Sequence, residues 1–245
     1  MSTLEDDIVL LQSLIDDSDN IVFFGGAGVS TESGIPDFRS VDGLYKQKYK
    51  YDPETIISHY FFESNPEEFY RFYRDKMLLL DKKPNAAHYF LAKLEKTGKL
   101  KAVVTQNIDG LHQMAGSKNV LELHGTVHRN FCEQCGAMYD ANYVKEYPEI
   151  VPRCKKCGGI IKPDVVLYGE PLDELTVTKA LVKIQEADLL LVCGTSLVVY
   201  PAASFIDYFR GRNLVLVNKD QNAFDNRANY VIHQKVGEMF KGLHV

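Results

Sequence analysis

The sequence predicts an α/β protein: a parallel sheet with helices on both faces, plus a smaller domain made of a four-cysteine module and a helical insertion. Three observations predict it. Short apolar runs alternate with stretches of helical periodicity, which calls for crossover connections and a buried parallel sheet. Polar residues follow three of those runs directly, at Gln106-Asn107-Ile108-Asp109, His124-Gly125 and Gly194-Thr195-Ser196, where open parallel sheets place their ligands. Two CxxC pairs, beginning at Cys132 and Cys154, interrupt the alternation with a segment of different character.

Leu4, Ile8, Leu11 and Ile15 recur at helical spacing, so the chain opens with an amphipathic helix. Ile21 to Phe24 is a short apolar run that ends in Gly25-Gly26, a buried strand and a tight loop. From Asp37 to Asp81 the pattern breaks and aromatics crowd together, among them Tyr60, Phe61, Phe62, Phe69, Tyr70, Phe72 and Tyr73. Asn65-Pro66-Glu67-Glu68 reads as a helix start, so this is a helical insertion whose aromatics pack locally. A helix from Asn85 to Lys96 is expected to end at Gly98 in a left-handed cap. Strands follow at Ala102 to Thr105 and Asn119 to Leu123, then the cysteine module. The expected remainder is a strand at Val165 to Leu167, a helix at Asp173 to Gln185 and a strand at Leu189 to Cys193. A helix near Pro201 and strands at Leu214 to Asn218 and Tyr230 to His233 complete the pattern.

Residues 1–40, 82–127 and 162–245 are therefore assigned to a nucleotide-binding domain. Residues 41–81 (helical) and 128–161 (cysteine-bearing) are assigned to a small domain.

The chain carries a formal charge of -5, which argues against nonspecific binding to nucleic acid or membrane surfaces. The start, Met1-Ser2-Thr3-Leu4-Glu5-Asp6-Asp7, has neither the basic residues nor the apolar run of a secretory signal. The longest apolar stretch, between Asp188 and Gly194, is too short to span a bilayer. A cytoplasmic monomer is expected.

Cys132-x-x-Cys135 and Cys154-x-x-Cys157 lie eighteen residues apart. Each knuckle bends the backbone so that two thiolates face one ion, and two knuckles complete a tetrahedron. Buried thiol pairs or a redox CxxC are the alternatives, and the paired spacing favours metal. With sulfur in all four positions, no place is left for water, so a zinc ion here is structural. Cys193 ends an apolar strand and reads as a small core residue.

Gly25-Gly26-Ala27-Gly28-Val29-Ser30 follows a strand, and a helix after it would offer N–H groups to a phosphate. Thr31 stands where a third glycine would be, and no clear acidic residue ends the next strand. On these residues alone, a phosphate loop and a plain chain reversal are both open. The continuation Pro36-Asp37-Phe38-Arg39 suits a mobile cofactor lid, with an aromatic over a ring and a guanidinium near phosphates. His124 differs from the other histidines in following a strand end directly, which marks it as a catalytic base.

Gly26-Ala27-Gly28-Val29-Ser30 through Gly34-Ile35-Pro36-Asp37-Phe38-Arg39, with the three strand-end motifs in order, resembles the sirtuins. These are Sir2-type NAD-dependent protein-lysine deacylases, and the resemblance here is to bacterial deacetylases. It covers nearly the whole chain. Gly25 stands where many members have threonine; it sits beside the phosphates, so little consequence is expected.

The resemblance implies a Rossmann-like NAD domain, NAD as co-substrate, one structural zinc ion, and acetylated proteins or peptides as substrates. It implies that the acetyl-lysine oxygen attacks the NAD ribose C1′ and nicotinamide leaves. His124 then takes a proton from a ribose hydroxyl, which attacks the bound imidate, and water finishes the reaction, giving free lysine and O-acetyl-ADP-ribose. Asn107 is implied to orient the ribose and a water, and Ile108, Asp109 and Phe38 to hold the nicotinamide carboxamide. Gly26, Ala27, Gly28, Ser30, Thr31, Asp37, Arg39 and Gln106 complete that half of the pocket. Gly194, Thr195, Ser196, Asn218 and Val236 are implied for the adenosine half, although Asn218-Lys219-Asp220 also reads as a plain turn. The peptide is implied to lie between Val165, Val166, Tyr168, Gly169 and Glu170 on one side and Leu197 and Val198 on the other.

Sirtuins that prefer succinyl or malonyl groups pair a tyrosine with an arginine three residues later. Here Tyr70 is followed by Tyr73, and Arg74 is one step off. Deacetylation is expected over desuccinylation, with longer apolar acyl groups left open. The same NAD cleavage would serve a protein ADP-ribosyltransferase. A silent NAD-binding module or a hydride-transfer dehydrogenase fits less well, given intact His124, Asn107 and Asp109 and the missing ribose-binding acid.

Overall fold

The computed structural model describes residues 3–37 and 50–245. The main sheet is built from β1 (Ile21–Gly25), β2 (Leu100–Thr105), β3 (Val120–Glu122), β7 (Leu189–Cys193), β8 (Asn213–Val217) and β9 (Tyr230–Ile232). They lie in the order β3-β2-β1-β7-β8-β9, and every pairing is parallel. Counted within this sheet, the order is 3-2-1-4-5-6, the doubly wound arrangement with its crevice where the winding reverses. That reversal falls between β1 and β7.

The strands are apolar on both faces because both faces are covered. Ile21, Phe23, Leu189 and Leu191 point to one side, into a core shared with α1 (Leu4–Asp16), α5 (Ala86–Lys96) and α9 (Val236–Lys241). Val22, Phe24, Leu190 and Val192 point to the other, against α8 (Glu174–Glu186) and the short 3₁₀ helix Ala202–Tyr208. Strand periodicity of two thus separates the two cores.

Helix ends follow local chemistry. Thr3 and Asp6 close a capping box on α1. Asp173 accepts the Thr176 N–H at the start of α8. At α5, Asn85 is the cap and the His88 ring accepts the Asn85 backbone N–H at 3.2 Å.

The small domain has its own core. α2 (Pro53–Ile56), α3 (His59–Ser64) and α4 (Pro66–Phe72), continued by a π-turn at Tyr73–Met77, supply Phe61, Phe62, Phe69, Tyr70 and Tyr73. The local aromatic packing expected from sequence is present: Phe69 and Tyr73 stack, and Phe62, Phe69 and Tyr70 meet edge to face. The same core takes Val127, Cys132, Val144, Ile161 and Val165 from a three-stranded antiparallel sheet and its helix, and Cys154 from the second cysteine knuckle. That sheet is β4 (Gly125–Cys132), β5 (Met138–Asp140) and β6 (Ile161–Val165), in the order β5-β4-β6, with α7 (Ala141–Glu146) beside it. α6 (Leu111–Ala115) bridges back toward β3.

Three local expectations need correction. The strand expected at Val165 to Leu167 is instead Ile161–Val165, antiparallel to β4 and outside the main sheet. Pro163 lies inside it, which an edge strand tolerates. The helix expected near Pro201 is a 3₁₀ helix. No α-helix follows the glycine loop directly; two 3₁₀ turns, Ala27–Val29 and Thr31–Ser33, do.

His88 and His112 are fully buried, with ring centroids 4.7 Å apart. Burial holds His88 down to about 4 and His112 well below its ordinary value, where the neighbouring His88 adds to the effect. A histidine kept neutral by burial binds fewer protons folded than unfolded. Its contribution is therefore complete above about pH 6.5 and is lost as pH falls toward the folded value. For His88 alone the loss is about 3 kcal/mol by pH 4. Melting temperature against pH should fall steeply below pH 6.5, and less steeply in His88→Gln. Parallel profiles for the two proteins would refute this origin of the acid sensitivity.

Candidate active site

Four loops meet at the carboxyl ends of β3, β2, β1 and β7. The loop after β1 lies against the loop after β7: the Gly26 N–H donates to the Cys193 carbonyl (3.1 Å) and the Gly28 N–H to the Gly194 carbonyl (2.8 Å). A Cβ on Gly28 would stand 2.7 Å from the Gly194 Cα, and Gly194 itself has φ of +61°. These glycines permit two backbones to touch. Ala27 is half-buried between them, and exposed Thr31 donates its hydroxyl to the Gly28 carbonyl at 3.0 Å.

Thr195 joins three segments. Its N–H donates to Asn218 Oδ1 (2.9 Å), and its hydroxyl oxygen accepts from Gln106 Nε2 (3.0 Å) and from the Leu197 N–H (3.2 Å). Asn218 follows β8 and is buried, and its Nδ2 has no partner among the described residues. A buried amide donor without an acceptor is costly, and a ribose hydroxyl in the crevice would satisfy it. That orphan donor, with the loops around it, fits a dinucleotide at the reversal point. Ser196 is exposed, whereas Val236 opens α9 and is packed into the main core.

His124 follows β3 and precedes β4, at the seam between the two domains. Its Nδ1 lies 3.0 Å from the Gln106 carbonyl. A carbonyl only accepts, so Nδ1 carries the proton and Nε2 keeps its lone pair. Burial pushes this imidazole below its ordinary value, partly opposed by the Gln106 hydrogen bond. Gly125 beside it has φ of +73°, and a Cβ there would lie 2.0 Å from the Asp164 carbonyl. No other residue lets the chain turn from one sheet into the other at this point.

The carboxamide and carboxylate expected with that imidazole are present. Asn107 Nδ2 donates to Ser30 Oγ (3.1 Å), and Ser30 Oγ donates to Asp109 Oδ2 (2.7 Å). Asp109 Oδ1 also accepts the Leu111 N–H at 2.9 Å. Burial raises the Asp109 carboxyl, opposed by those hydrogen bonds and by nearby His128. Ile108 packs against the small-domain core. Gln106 connects the groups: its carbonyl meets His124 and its side chain meets Thr195. Asp37 is half-buried at the edge of the described chain, and Phe38 and Arg39 lie outside the described residues.

Of the expected peptide segments, the one at Val165 and Val166 lies against His124. The Val166 N–H donates to the His124 carbonyl at 3.0 Å, and Val165 is buried beneath it. Tyr168 and Gly169 are exposed. Leu197 is buried with φ of +53°, a left-handed conformation that a side chain resists, and Val198 is exposed beside it. Strain of this kind marks loops whose shape is set by function. Glu170 faces inward, to His59 and Lys162.

Tyr70 and Tyr73 are fully buried. The Tyr70 hydroxyl donates to the Ile161 carbonyl. Arg74 is committed elsewhere, donating to the Tyr147 and Glu149 carbonyls.

The four cysteine sulfurs lie within 4.8 Å of one another, with Cys132–Cys157 at 3.4 Å and Cys135–Cys154 at 3.6 Å. Thiolates about 2.3 Å from a tetrahedral zinc sit roughly 3.8 Å apart, so the four are positioned to bind one zinc ion. The Tyr139 hydroxyl, donating at 3.1 Å, leads the causes that hold the Cys154 thiol at about 6.

Sequence reading missed several supports of the site. Asn85 donates to the Val29 carbonyl (2.7 Å) and to Ser33 Oγ (3.1 Å), fixing the glycine loop from α5. His128 Nε2 lies 3.0 Å from the Asp109 carbonyl. In the sequence Asn85 only begins an expected helix, and no local signal marked either residue.

A doubly wound dinucleotide-type sheet, a half-buried imidazole at a strand end and a four-thiolate module define an α/β enzyme with an appended metal module. The sequence model described as the Sir2 family matches residues 26–201, and the chain belongs to that family. A protein of Clostridium acetobutylicum named NAD-dependent protein deacetylase is 57% identical over 97% of this chain and 98% of its own length. One of Staphylococcus epidermidis with the same name is 50% identical over 93% and 92%. Among solved structures, a Sir2 protein with a deacetylated p53 peptide and 3′-O-acetyl ADP ribose superposes with a TM-score of 0.89 at 41% identity, covering 96% of both chains. A Sir2 complex with a p53 peptide and NAD+ gives 0.84 at 41% identity, covering 95% of both.

Proposed function

We propose that this protein is an NAD-dependent protein-lysine deacetylase that uses His124 as its general base and yields nicotinamide, free lysine and O-acetyl-ADP-ribose. One observation carries the assignment: the His124 Nδ1 proton is tied to the Gln106 carbonyl, which leaves Nε2 as a base at the crevice. NAD, when bound, supplies the glycosidic bond that breaks and the hydroxyl that takes up the acyl group.

The chain's own groups then have defined tasks. Asn218 offers its orphan amide donor to the adenosine ribose, beside Gly194, Thr195 and Ser196. Asp109 and Ile108 hold the nicotinamide carboxamide. Asn107, anchored through Ser30, orients the other ribose. His124 accepts a proton at Nε2 from that sugar. The docking loops pair with the peptide backbone, which gives affinity with little sequence selectivity. Burial at the seam of the two cores keeps bulk water from the reacting carbon.

The acyl group accepted is acetyl in preference to succinyl. Arg74 follows Tyr70 by four positions and not three, and two of its nitrogens donate to the Tyr147 and Glu149 carbonyls, so the tyrosine–arginine pair that would hold a buried carboxylate is not formed at the required spacing. The division of labour follows the two core systems: the doubly wound domain binds the dinucleotide, and the helical and zinc modules form the small domain. A reducing cytoplasm suits a module that needs four thiolates, and no helix among the described residues is long and apolar enough to cross a membrane.

The test is mass spectrometry of an acetyl-lysine peptide incubated with NAD and the enzyme. Loss of the acetyl group with matching nicotinamide release is expected. Transfer of ADP-ribose to the peptide, with the acetyl retained, would overturn the assignment in favour of a transferase.

A further inference from the structure

The docking loop of residues 165–170 is held from the side by the helical module. The Tyr168 N–H donates to the Ile57 carbonyl and the His59 N–H to the Tyr168 carbonyl, each at 3.0 Å. Ser58 and Tyr168 thereby form an isolated parallel bridge. Side chains repeat the link. His59 Nδ1 lies 2.8 Å from Glu170 Oε1, and Lys162 Nζ reaches the same carboxylate at 3.1 Å. Glu170 also accepts the Leu167 N–H at 2.8 Å, and Lys162 donates to the Val165 carbonyl at 3.1 Å. Glu170 and Lys162 are largely buried, whereas the His59 side chain is 42% exposed.

The second nitrogen of His59 faces a carboxylate as well: Nε2 lies 3.5 Å from Glu63 one turn along α3. The groups facing this ring are thus Glu63 on its own helix and Glu170 on the loop, with Lys162 of β6 behind Glu170.

We propose that His59 is a positioning residue for the peptide: with Glu170 and Lys162 it fixes the docking loop in the place from which that loop pairs with the peptide. The inference rests on the deacetylase reading above. Strand-like pairing with a peptide needs the loop backbone in one place, since every hydrogen bond depends on it. Loss of the His59 ring removes the contacts to Glu170 and Glu63. The loop then holds the peptide less well, while His124 and the dinucleotide crevice are untouched. The effect falls on KM for the peptide and not on kcat.

The experiment compares wild type, His59→Ala and His59→Gln with one acetyl-lysine peptide at saturating NAD. Peptide KM and kcat are measured for each. His59→Ala should raise KM about three- to tenfold with kcat close to the parent. His59→Gln keeps one donor for Glu170, so it should give an intermediate KM. Binding of a fluorescein-labelled peptide to the NAD-loaded enzymes reads the same order without turnover. A wild type that binds peptide but does not deacetylate would sink the functional reading and leave this inference testable by binding. An active wild type whose peptide KM and affinity are matched by His59→Ala would overturn the inference alone.

Discussion

Replacing His124 by alanine is expected to lower kcat for deacetylation by about 10²- to 10⁴-fold, the range for loss of a general base. The ring is not part of either main core, so the melting temperature should stay close to that of the parent. Release of nicotinamide precedes the step that needs the base, so the variant should still release a single turnover's worth in the presence of acetylated peptide. The pH profile carries a second, independent expectation. A base works only when deprotonated, so the rate is full above its pKa and falls as pH drops through it. Burial holds His124 below the ordinary histidine value, so the acid limb of kcat/KM should lie below about pH 6.5. That limb should vanish with the imidazole. If His124→Ala deacetylates as fast as the parent, or the limb lies well above pH 6.5, the base has been assigned to the wrong group.

How much of this was legible in the sequence depended on whether the signal was local. The order of strands and helices could be read because each buried strand is a short apolar run flanked by glycine or a cap. The three strand-end motifs could be placed at one crevice because a parallel sheet puts all carboxyl ends on one edge. The cysteine site was legible from spacing alone. What could not be read depended on contacts distant in sequence. β6 alternates, with Ile161, Pro163 and Val165 inward, but the proline disguised it, and only its pairing with β4 tells which sheet it joins. The resemblance implies a peptide contact for Glu170. That its carboxylate also meets His59, more than a hundred residues away in sequence, could not be read from its neighbours. The glycines after β1 suggested a phosphate cradle, yet the residues they approach are Gly194 and Thr195. Their spacing could not reveal that the partner was another loop of the same chain.

Removal of the zinc ion is expected to abolish peptide deacetylation while leaving dinucleotide binding largely intact. The reason lies in two strands. β4 begins next to His124 and ends at Cys132, and β6 runs from the zinc knuckles to the docking loop at Val165. An ion there clamps one end of a sheet whose other end adjoins His124 and residues 165–170, to which the proposed function gives the base and the peptide contacts. Its four ligands share a core with the helical module, whereas the doubly wound sheet has cores of its own on both faces. A structural zinc site of this type contributes about 10–16 kcal/mol of apparent binding energy, more than a small module can lose and stay folded. Chelation, or Cys154→Ser, should release about one zinc per chain and eliminate turnover. Thermal stabilisation of the main domain by NAD should persist. All four coordination positions are sulfur, so the metal has no place for substrate or water, and cadmium should restore activity where it restores the fold. An enzyme that deacetylates at the parental rate after complete loss of its metal would show that the small sheet holds His124 and the docking loop without the ion.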